Sequence, residues 1–235
     1  MSIHEPKIPS RGSQYWLQKL VNENPSVLND AIHRASCGAI PSAIDWKSPL
    51  SKDNNVEYRD RDFLKVLGLS DFVGALTDCW PLHGPQWDGL GISANSDYIL
   101  VEAKANIQEF ISPPTDATGK SLNKIIATLN ETKQYFKMGK DLCWHNYFYQ
   151  FTNRLAHYYF MRIKCHKKAV LVFVNFIGDR THSIPGPLTI DEWKVAYTCA
   201  SKILGIRRFR KSDNIFNVYI DVSRKPMYEL FARGN

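Results

Sequence analysis

The chain has 235 residues, of which 44% are hydrophobic and 23% are charged. This composition excludes a largely disordered protein, and the length suits a single well-buried domain. The formal net charge of +7 is consistent with a nucleic-acid partner. No apolar run approaches the roughly 18 residues of a membrane span, and the N-terminal segment MSIHEPKIPSRG has no secretory apolar core. We therefore expect a cytoplasmic protein without a membrane partner.

The cysteines exclude two further classes of protein. They are scattered, odd in number and without a C-x-x-C pair: Cys37, Cys79, Cys143, Cys165 and Cys199. Neither a disulfide framework nor a structural zinc site fits this spacing, so we expect reduced thiols.

The N-terminal third is predicted to be helical. Apolar residues recur at helical spacing in 15–21, Pro25 is typical of the first position of a second helix, and a third helix is expected at 53–67. Residues 1–52 would then form a helical N-terminal extension. The segment 72–80 is predicted to be the first strand of the sheet.

The rest of the chain alternates strands and helices. A turn-forming SANS segment separates two apolar segments, which predicts a β-hairpin over 87–103. This order predicts an α/β domain with a mixed central β-sheet flanked by helices. We expect one domain, with its core at 53–180 and a C-terminal helix and strand at 181–235. The elements expected after the hairpin are helices at 121–136 and 147–163, a buried strand at 169–177, a helix opened by a capping box at 189–192 and a last strand at 216–222.

Three charged side chains lie at the open end of the predicted hairpin. Glu102 and Lys104 are two apart on a strand and therefore share a face, and Asp88 on the neighbouring strand can lie opposite them. Carboxylate oxygens at this density suit Mg²⁺ or Mn²⁺, which bridge to substrate phosphates. Such an ion would lower the pKa of a bound water, and Lys104 would orient that water or stabilise developing charge. The alternative is that Glu102 and Lys104 form an exposed ion pair at a strand end, which contributes almost nothing to stability.

The Asp88…Glu102-x-Lys104 motif, with the expected αβββαβ order over about 53–177, resembles the PD-(D/E)xK nuclease superfamily. The family's leading proline is replaced here by Trp87, at a position that varies widely in the family. The resemblance implies a restriction-endonuclease-like core. It also implies that Asp88 and Glu102 bind Mg²⁺ or Mn²⁺ and that Lys104 is the catalytic lysine.

The resemblance also suggests two further members of the site. Several members of the superfamily carry a glutamine on the helix after the Glu-x-Lys strand, and Gln150 is similar. It departs from the family pattern in two ways: it would lie on the second such helix, and the family's tyrosine four positions later is Arg154 here. An acidic residue on the helix before the sheet often completes the metal site. Glu57 is the candidate for that ligand, with Asp60 as its rival. A solvated helix face is the alternative for Gln150, and surface charge next to Arg59 and Arg61 is the alternative for the acidic residue.

Basic residues provide candidate nucleic-acid contacts. Arg154 falls in one helical sector with Gln150 and His157, from which it could contact a DNA phosphate. The segment RRFRK places one ring among four cations, a pattern suited to phosphates and a stacked base. Its cations are Arg207, Arg208, Arg210 and Lys211. Charged surface without a ligand is the alternative.

Together these features predict a metal-dependent endonuclease or exonuclease that hydrolyses phosphodiester bonds, with DNA the expected polymer. A homodimer is compatible with this function, because cleavage of both strands often needs two active sites. The alternative is a non-catalytic nucleic-acid-binding or assembly protein on the same fold.

Overall fold

A five-stranded mixed sheet with helices on both faces forms the centre of the protein. It is seen in a computed structural model that describes residues 10–139 and 142–223. The strands are β1 Ile44–Ser48, β2 Gly89–Ser93, β3 Tyr98–Lys104, β4 Ala169–Ile177 and β5 Ile215–Asp221. The helices are α1 Gly12–Glu23, α2 Pro25–Ala35, α3 Asp60–Val66, α4 Val73–Cys79, α5 Ile107–Phe110, α6 Gly119–Tyr135, α7 Tyr149–Tyr159 and α8 Ile190–Ile203. Helix α7 continues as a π-helical turn over Phe160–Lys164. No helix in the described ranges is long and apolar enough to span a membrane.

The sheet joins an antiparallel half to a parallel half. Its strand order is β1-β2-β3-β4-β5, with antiparallel pairing from β1 to β3 and parallel pairing from β3 to β5. All nine residues of β4 are buried, as the continuous apolar run AVLVFVNFI predicts for a strand covered on both faces. The prediction of an α/β fold on a mixed central sheet is confirmed.

Alternation along the strands divides the core into two layers. Ile99 and Val101 of β3 face α1 and α2, whereas Leu100 faces the layer that includes α6, α7 and α8. Glu102 and Lys104 have the parity of Leu100, so they project from the sheet on the α7 side. This placement determines which helices can supply partners to the two charged residues.

The N-terminal prediction is partly wrong. Helices α1 and α2 form as expected, and Pro25 occupies the first turn of α2. Residues 44–48, however, form β1, which pairs antiparallel with β2, so the segment 1–52 is not purely helical. The helix expected at 53–67 is confined to α3, after a short 3₁₀ turn at Ser51–Asp53.

The predicted first strand at 72–80 is also wrong. These residues complete a 3₁₀ turn at Ser70–Phe72 and then form α4. The three strands before α6 are therefore β1, β2 and β3, and α3 and α4 are inserted between the first two. The predicted range 53–177 consequently contains only β2, β3 and β4. The uninterrupted αβββαβ order expected there is not observed.

The hairpin and the C-terminal elements agree with the sequence predictions. Strands β2 and β3 pair antiparallel through the turn after Ser93, and α6, α7, β4 and β5 begin and end within a few residues of their expected bounds. Thr189 caps α8, since its Oγ1 accepts a hydrogen bond from the Glu192 backbone N–H at 3.3 Å. The Glu192 carboxylate in turn accepts from the Leu188 N–H at 3.0 Å.

Candidate active site

Asp88 and Glu102 are neighbours across the open end of the hairpin. Gly89 pairs with Val101 in the antiparallel register, so the next position places Asp88 beside Glu102. Asp88 Oδ2 accepts a 2.6 Å hydrogen bond from the Ala103 backbone N–H, which fixes the carboxylate against β3. The cross-strand arrangement predicted from the sequence is therefore present.

Glu102 is buried and paired with two cations. Its side chain is only 3% exposed. Lys104 Nζ lies 2.7 Å from Oε1, and Arg154 on α7 donates from Nε to Oε2 at 2.5 Å. The expected shared face of Glu102 and Lys104 is confirmed, and the pair is enclosed rather than exposed at the surface.

Arg154 is a buried internal partner of the carboxylate. Its Nη2 donates to the Gln86 backbone carbonyl at 2.7 Å, and its Nη1 donates to Asn153 Oδ1 at 3.0 Å. The guanidinium also lies 5.0 Å from the centre of the Trp87 ring. These contacts use the planar donor set of arginine, which a lysine could not replace. The structure thus places Arg154 on Glu102, and its contact with nucleic acid stays a prediction.

Gln150 and Glu57 also make hydrogen bonds within the site. Gln150 Oε1 accepts from Lys104 Nζ at 3.0 Å, so the glutamine on α7 reaches the predicted catalytic lysine. Glu57 accepts from Gln14 Nε2 at 2.8 Å and from Gln86 Nε2 at 3.0 Å.

The rival acidic residue, Asp60, has a different environment. Its two oxygens accept backbone N–H bonds from His83 and Gly84, at 3.1 and 2.8 Å. Asp60 therefore holds the loop before β2 and does not line the cleft into which Glu57 faces.

A cleft of about 600 Å³ brings these groups together. Residues 112–116 form one wall, and Tyr149 and Asn153 of α7 contribute to the same surface. The charged residues that line it are four acids and two bases: Glu57, Asp88, Glu102, Asp116, Lys104 and Arg154. Every residue predicted to be catalytic or metal-binding therefore lies in one cleft. With an excess of carboxylates, the cleft would repel a polyanion unless a cation were bound there.

The pKa values of Asp88 and Glu57 shift in the opposite direction to that of Glu102. Burial and repulsion from Glu102 raise the pKa of Asp88 well above its ordinary value, and burial also raises the pKa of Glu57. Burial would raise the pKa of Glu102 too, but attraction by Arg154 and Lys104 outweighs it and lowers that pKa. For Lys104, burial alone would lower the pKa, yet attraction by Glu102 and Asp88 raises it. Lys104 is therefore a cation at neutral pH.

The cleft offers few protein ligands for a metal ion. Within residues 10–139 and 142–223, no three acidic, histidine or cysteine side chains are grouped closely enough to hold a metal ion. Glu57 lines the cleft without forming a three-ligand set with Asp88 and Glu102. Proteins commonly bind Mg²⁺ through one or two carboxylates, with water and substrate phosphate as the remaining ligands. Asp88 and Glu102 give the cleft two such carboxylates, although both oxygens of Glu102 already contact Lys104 and Arg154.

His157, which shares the helical sector of Gln150 and Arg154, is a core residue. It is buried, its Nδ1 lies 3.0 Å from the Asn153 carbonyl oxygen, and its ring packs edge-on against Trp80 at 4.8 Å. Burial lowers the pKa of His157 to about 3, so the ring is neutral at physiological pH. It provides no charge to the cleft.

The RRFRK segment lies outside this cleft. Arg207 and Arg208 line a second, smaller pocket together with Phe209. Arg210 instead pairs with Asp213, with Nη2 and Oδ1 2.8 Å apart, and Lys211 is exposed at the start of a 3₁₀ turn. The four nucleic-acid contacts predicted in this segment therefore do not share one environment.

Several contacts in the cleft have no counterpart in the sequence analysis. Gln86 bonds Glu57 through its side chain and Arg154 through its carbonyl group, and no motif in the sequence predicts either contact. Asn153 and Tyr149 were likewise not identified as lining residues. The available signal was helical spacing, because both residues flank Gln150 and Arg154 on α7.

Comparisons of this chain with protein-family models, with curated proteins and with solved structures find no match.

Proposed function

We propose that the protein is a metal-dependent nuclease that hydrolyses phosphodiester bonds, with DNA as the expected polymer. The observation that supports this proposal best is the convergence of Asp88, Glu102 and Lys104 in one cleft. The Asp88–Ala103 and Lys104–Glu102 contacts hold the three charged groups on adjacent strands. Such preorganisation is what electrostatic catalysis of a phosphoryl reaction needs.

The chain's residues would divide the chemistry between them. Asp88 and Glu102 would hold the ion, and a bound Mg²⁺ or Mn²⁺ would supply charge stabilisation and a more acidic water. Lys104, a cation at neutral pH, would orient the attacking water or stabilise charge that develops on the phosphoryl oxygens. Gln150 keeps the lysine in place through its 3.0 Å contact, and Arg154 keeps Glu102 ionised.

The raised pKa values also support a cation-binding role. Asp88 and Glu57 are destabilised as anions by burial and by mutual repulsion with Glu102. A divalent cation bound between carboxylates favours their charged forms and so relieves this cost. Perturbed titratable groups that converge in a cleft are characteristic of functional sites.

The experiment that tests the proposal is cleavage of supercoiled plasmid DNA with Mg²⁺ or Mn²⁺, with EDTA as the metal-free control. An Asp88→Asn protein purified in parallel controls for contaminating nucleases. Metal-dependent nicking by the wild-type protein and none by the variant is the expected result. Equal nicking by both proteins would reject the assignment to this cleft.

One observation favours the non-catalytic alternative. Both oxygens of Glu102 are occupied by Lys104 and Arg154, so a metal would have to compete with two cations for this carboxylate. If the wild-type protein bound DNA in a salt-sensitive manner and cleaved it under none of the metal conditions, the nucleic-acid-binding alternative would replace the nuclease.

A further inference from the structure

The second pocket differs from the acidic cleft in the sign of its charge. It has a volume of about 310 Å³, near the lower end of the roughly 300–1,000 Å³ range of small-ligand sites. Lys202, Arg207 and Arg208 line it, and none of its described lining residues is acidic. Within residues 10–139 and 142–223, neither arginine has an ion-pair partner, whereas nearby Arg210 is paired with Asp213. The two arginines are therefore available to an anionic ligand.

Aromatic rings form much of the same pocket. Phe151, Phe173 and Tyr197 are buried, and Phe209 is only partly covered, so Phe209 is the most accessible ring. Phe209 is braced on one side by Phe136, with ring centres 5.3 Å apart. A fixed ring beside two guanidinium groups is the combination that binds a base and its phosphate in single-stranded nucleic acids.

The pocket lies on the same face of the sheet as the acidic cleft. Glu102 pairs in register with Phe173, and Phe173 pairs with Asn217, which lines the pocket. Two strand spacings separate Glu102 from Asn217, which is about 10 Å. The acidic cleft has little attraction for a polyanion, so an adjacent cationic pocket can supply the affinity that the cleft lacks.

We propose that this pocket binds one unpaired nucleotide of the substrate strand, with its base against Phe209 and its phosphate on Arg207 and Arg208. The ligand class is thus single-stranded nucleic acid. A paired base cannot use the pocket, because both of its faces are covered by the neighbouring bases of the duplex. This inference rests on the proposed function only in naming the ligand as the substrate strand.

The test is binding of a short fluorescent single-stranded DNA, compared with the same strand annealed to its complement. Anisotropy is measured in EDTA, so that cleavage cannot occur. The wild-type protein is expected to bind the single strand more tightly. Phe209→Leu keeps apolar bulk but removes the ring, and it should weaken single-strand binding by roughly 5- to 150-fold, the range for one lost base stack. Phe209→Tyr keeps the ring and should bind like the wild-type protein.

The arginines are tested by the salt dependence of the same affinity. Each phosphate contact to a single strand contributes about 0.7 to the magnitude of the slope of log K against log salt. Because both arginines contact the same phosphate, the Arg207→Ala/Arg208→Ala double variant should reduce that magnitude by about 0.7. Arg34→Ala, an exposed arginine on α2, is the matched control and should leave the slope unchanged. Unchanged single-strand affinity and slope in both Phe209→Leu and the double variant would overturn the proposal.

Failure of this inference is distinguishable from failure of the nuclease proposal. If the wild-type protein cleaves DNA but the pocket variants bind single strands as it does, the pocket assignment is wrong and the nuclease stands. If no cleavage occurs but the pocket variants lose single-strand binding, the pocket stands and the nuclease is wrong.

Discussion

Glu102 can stay ionised in a buried position because two cations surround it. Transfer of a carboxylate from water into the protein interior costs several kcal/mol, and close, well-oriented ion pairs can offset that cost. Arg154 and Lys104 supply such pairs, at 2.5 and 2.7 Å. The lowered pKa of Glu102 is the result of this compensation.

Replacement of Arg154 by alanine should strongly destabilise the fold. The change removes the guanidinium from Glu102 and from the Gln86 carbonyl, and loss of one partner from a buried pair costs about 3–5 kcal/mol. Urea unfolding measures the difference. Arg34→Ala, on the exposed face of α2, is the control and should stay within about 0.5 kcal/mol of the wild-type protein. A loss below about 1 kcal/mol for Arg154→Ala would contradict the assigned role.

Replacement of Asp88 by asparagine should stabilise the folded protein, in contrast to replacement of Arg154. Its pKa is raised in the folded protein, so the native state retains this proton to a higher pH than the unfolded chain does. The wild-type protein should therefore lose stability as pH rises from the unfolded pKa to the folded pKa, by about 1.4 kcal/mol per unit between them. An asparagine side chain cannot titrate, so Asp88→Asn should gain stability relative to the wild-type protein over that window and keep the gain above it.

The measurement is the urea midpoint of both proteins between pH 4 and pH 8, without added metal. Asp45→Asn, on β1, removes an exposed aspartate and is the control for the loss of one carboxylate at the surface. A stability difference between Asp88→Asn and the wild-type protein that is independent of pH would show that Asp88 is not held at a raised pKa.

At the scale of elements, the starts of two helices offer a matched comparison. Thr189 and Thr118 both precede a helix in extended backbone geometry, but only Thr189 accepts a hydrogen bond from its helix. Thr189→Ala should cost about 1 kcal/mol, whereas Thr118→Ala should cost no more than a few tenths. Thermal unfolding of the two variants measures the contrast. Equal losses would show that the Thr189 bond does not stabilise α8.

The elements predicted well from the sequence are those whose burial is continuous or whose end signals are local. Strand β4 is apolar along nearly its whole length, and the hairpin has turn-forming residues between two apolar segments. Helix α8 starts at a threonine followed three positions later by glutamate. Each of these signals lies within a few residues of the element, so no tertiary information is needed to interpret it.

The elements predicted wrongly either depend on tertiary contacts or have an apolar pattern that fits both a helix and a strand. Strand β1 is only five residues long, with the sequence IDWKS, and it pairs with β2, where Gly91 allows Trp46 to approach closely. In 72–80, Phe72, Leu76 and Cys79 recur at helical spacing, although the apolar content of the segment also favours a strand. A short apolar segment is compatible with either structure until its neighbours are known.

The sequence predicts the charged residues of the candidate site, but not the side chains that pair with them. Strand alternation places Glu102 beside Lys104, and hairpin pairing brings Asp88 opposite them. The ion pair between Arg154 and Glu102 spans 52 residues and depends on how α7 crosses the sheet. Helical spacing identified the correct sector of α7 but assigned Arg154 to an external ligand.

At the scale of the whole molecule, charge is divided between two sites on one face of the sheet. The cleft next to β2 and β3 has an excess of carboxylates, and the pocket next to β5 has only cationic charge among its described lining residues. In the proposed nuclease the first site would bind the metal, and the second would add affinity for the strand that the carboxylates of the first do not supply. The net charge of +7 is thus less informative than its distribution.

The most direct test of the cleft's function is the single-turnover rate of DNA cleavage in Mg²⁺ for two matched pairs of variants. Asp88→Asn and Lys104→Ala alter the cleft, whereas Asp45→Asn and Lys47→Ala remove the members of an exposed ion pair on β1. The account predicts a loss of roughly 10²-fold or more for each cleft variant and wild-type rates for both β1 variants. Wild-type rates in Asp88→Asn and Lys104→Ala would contradict it.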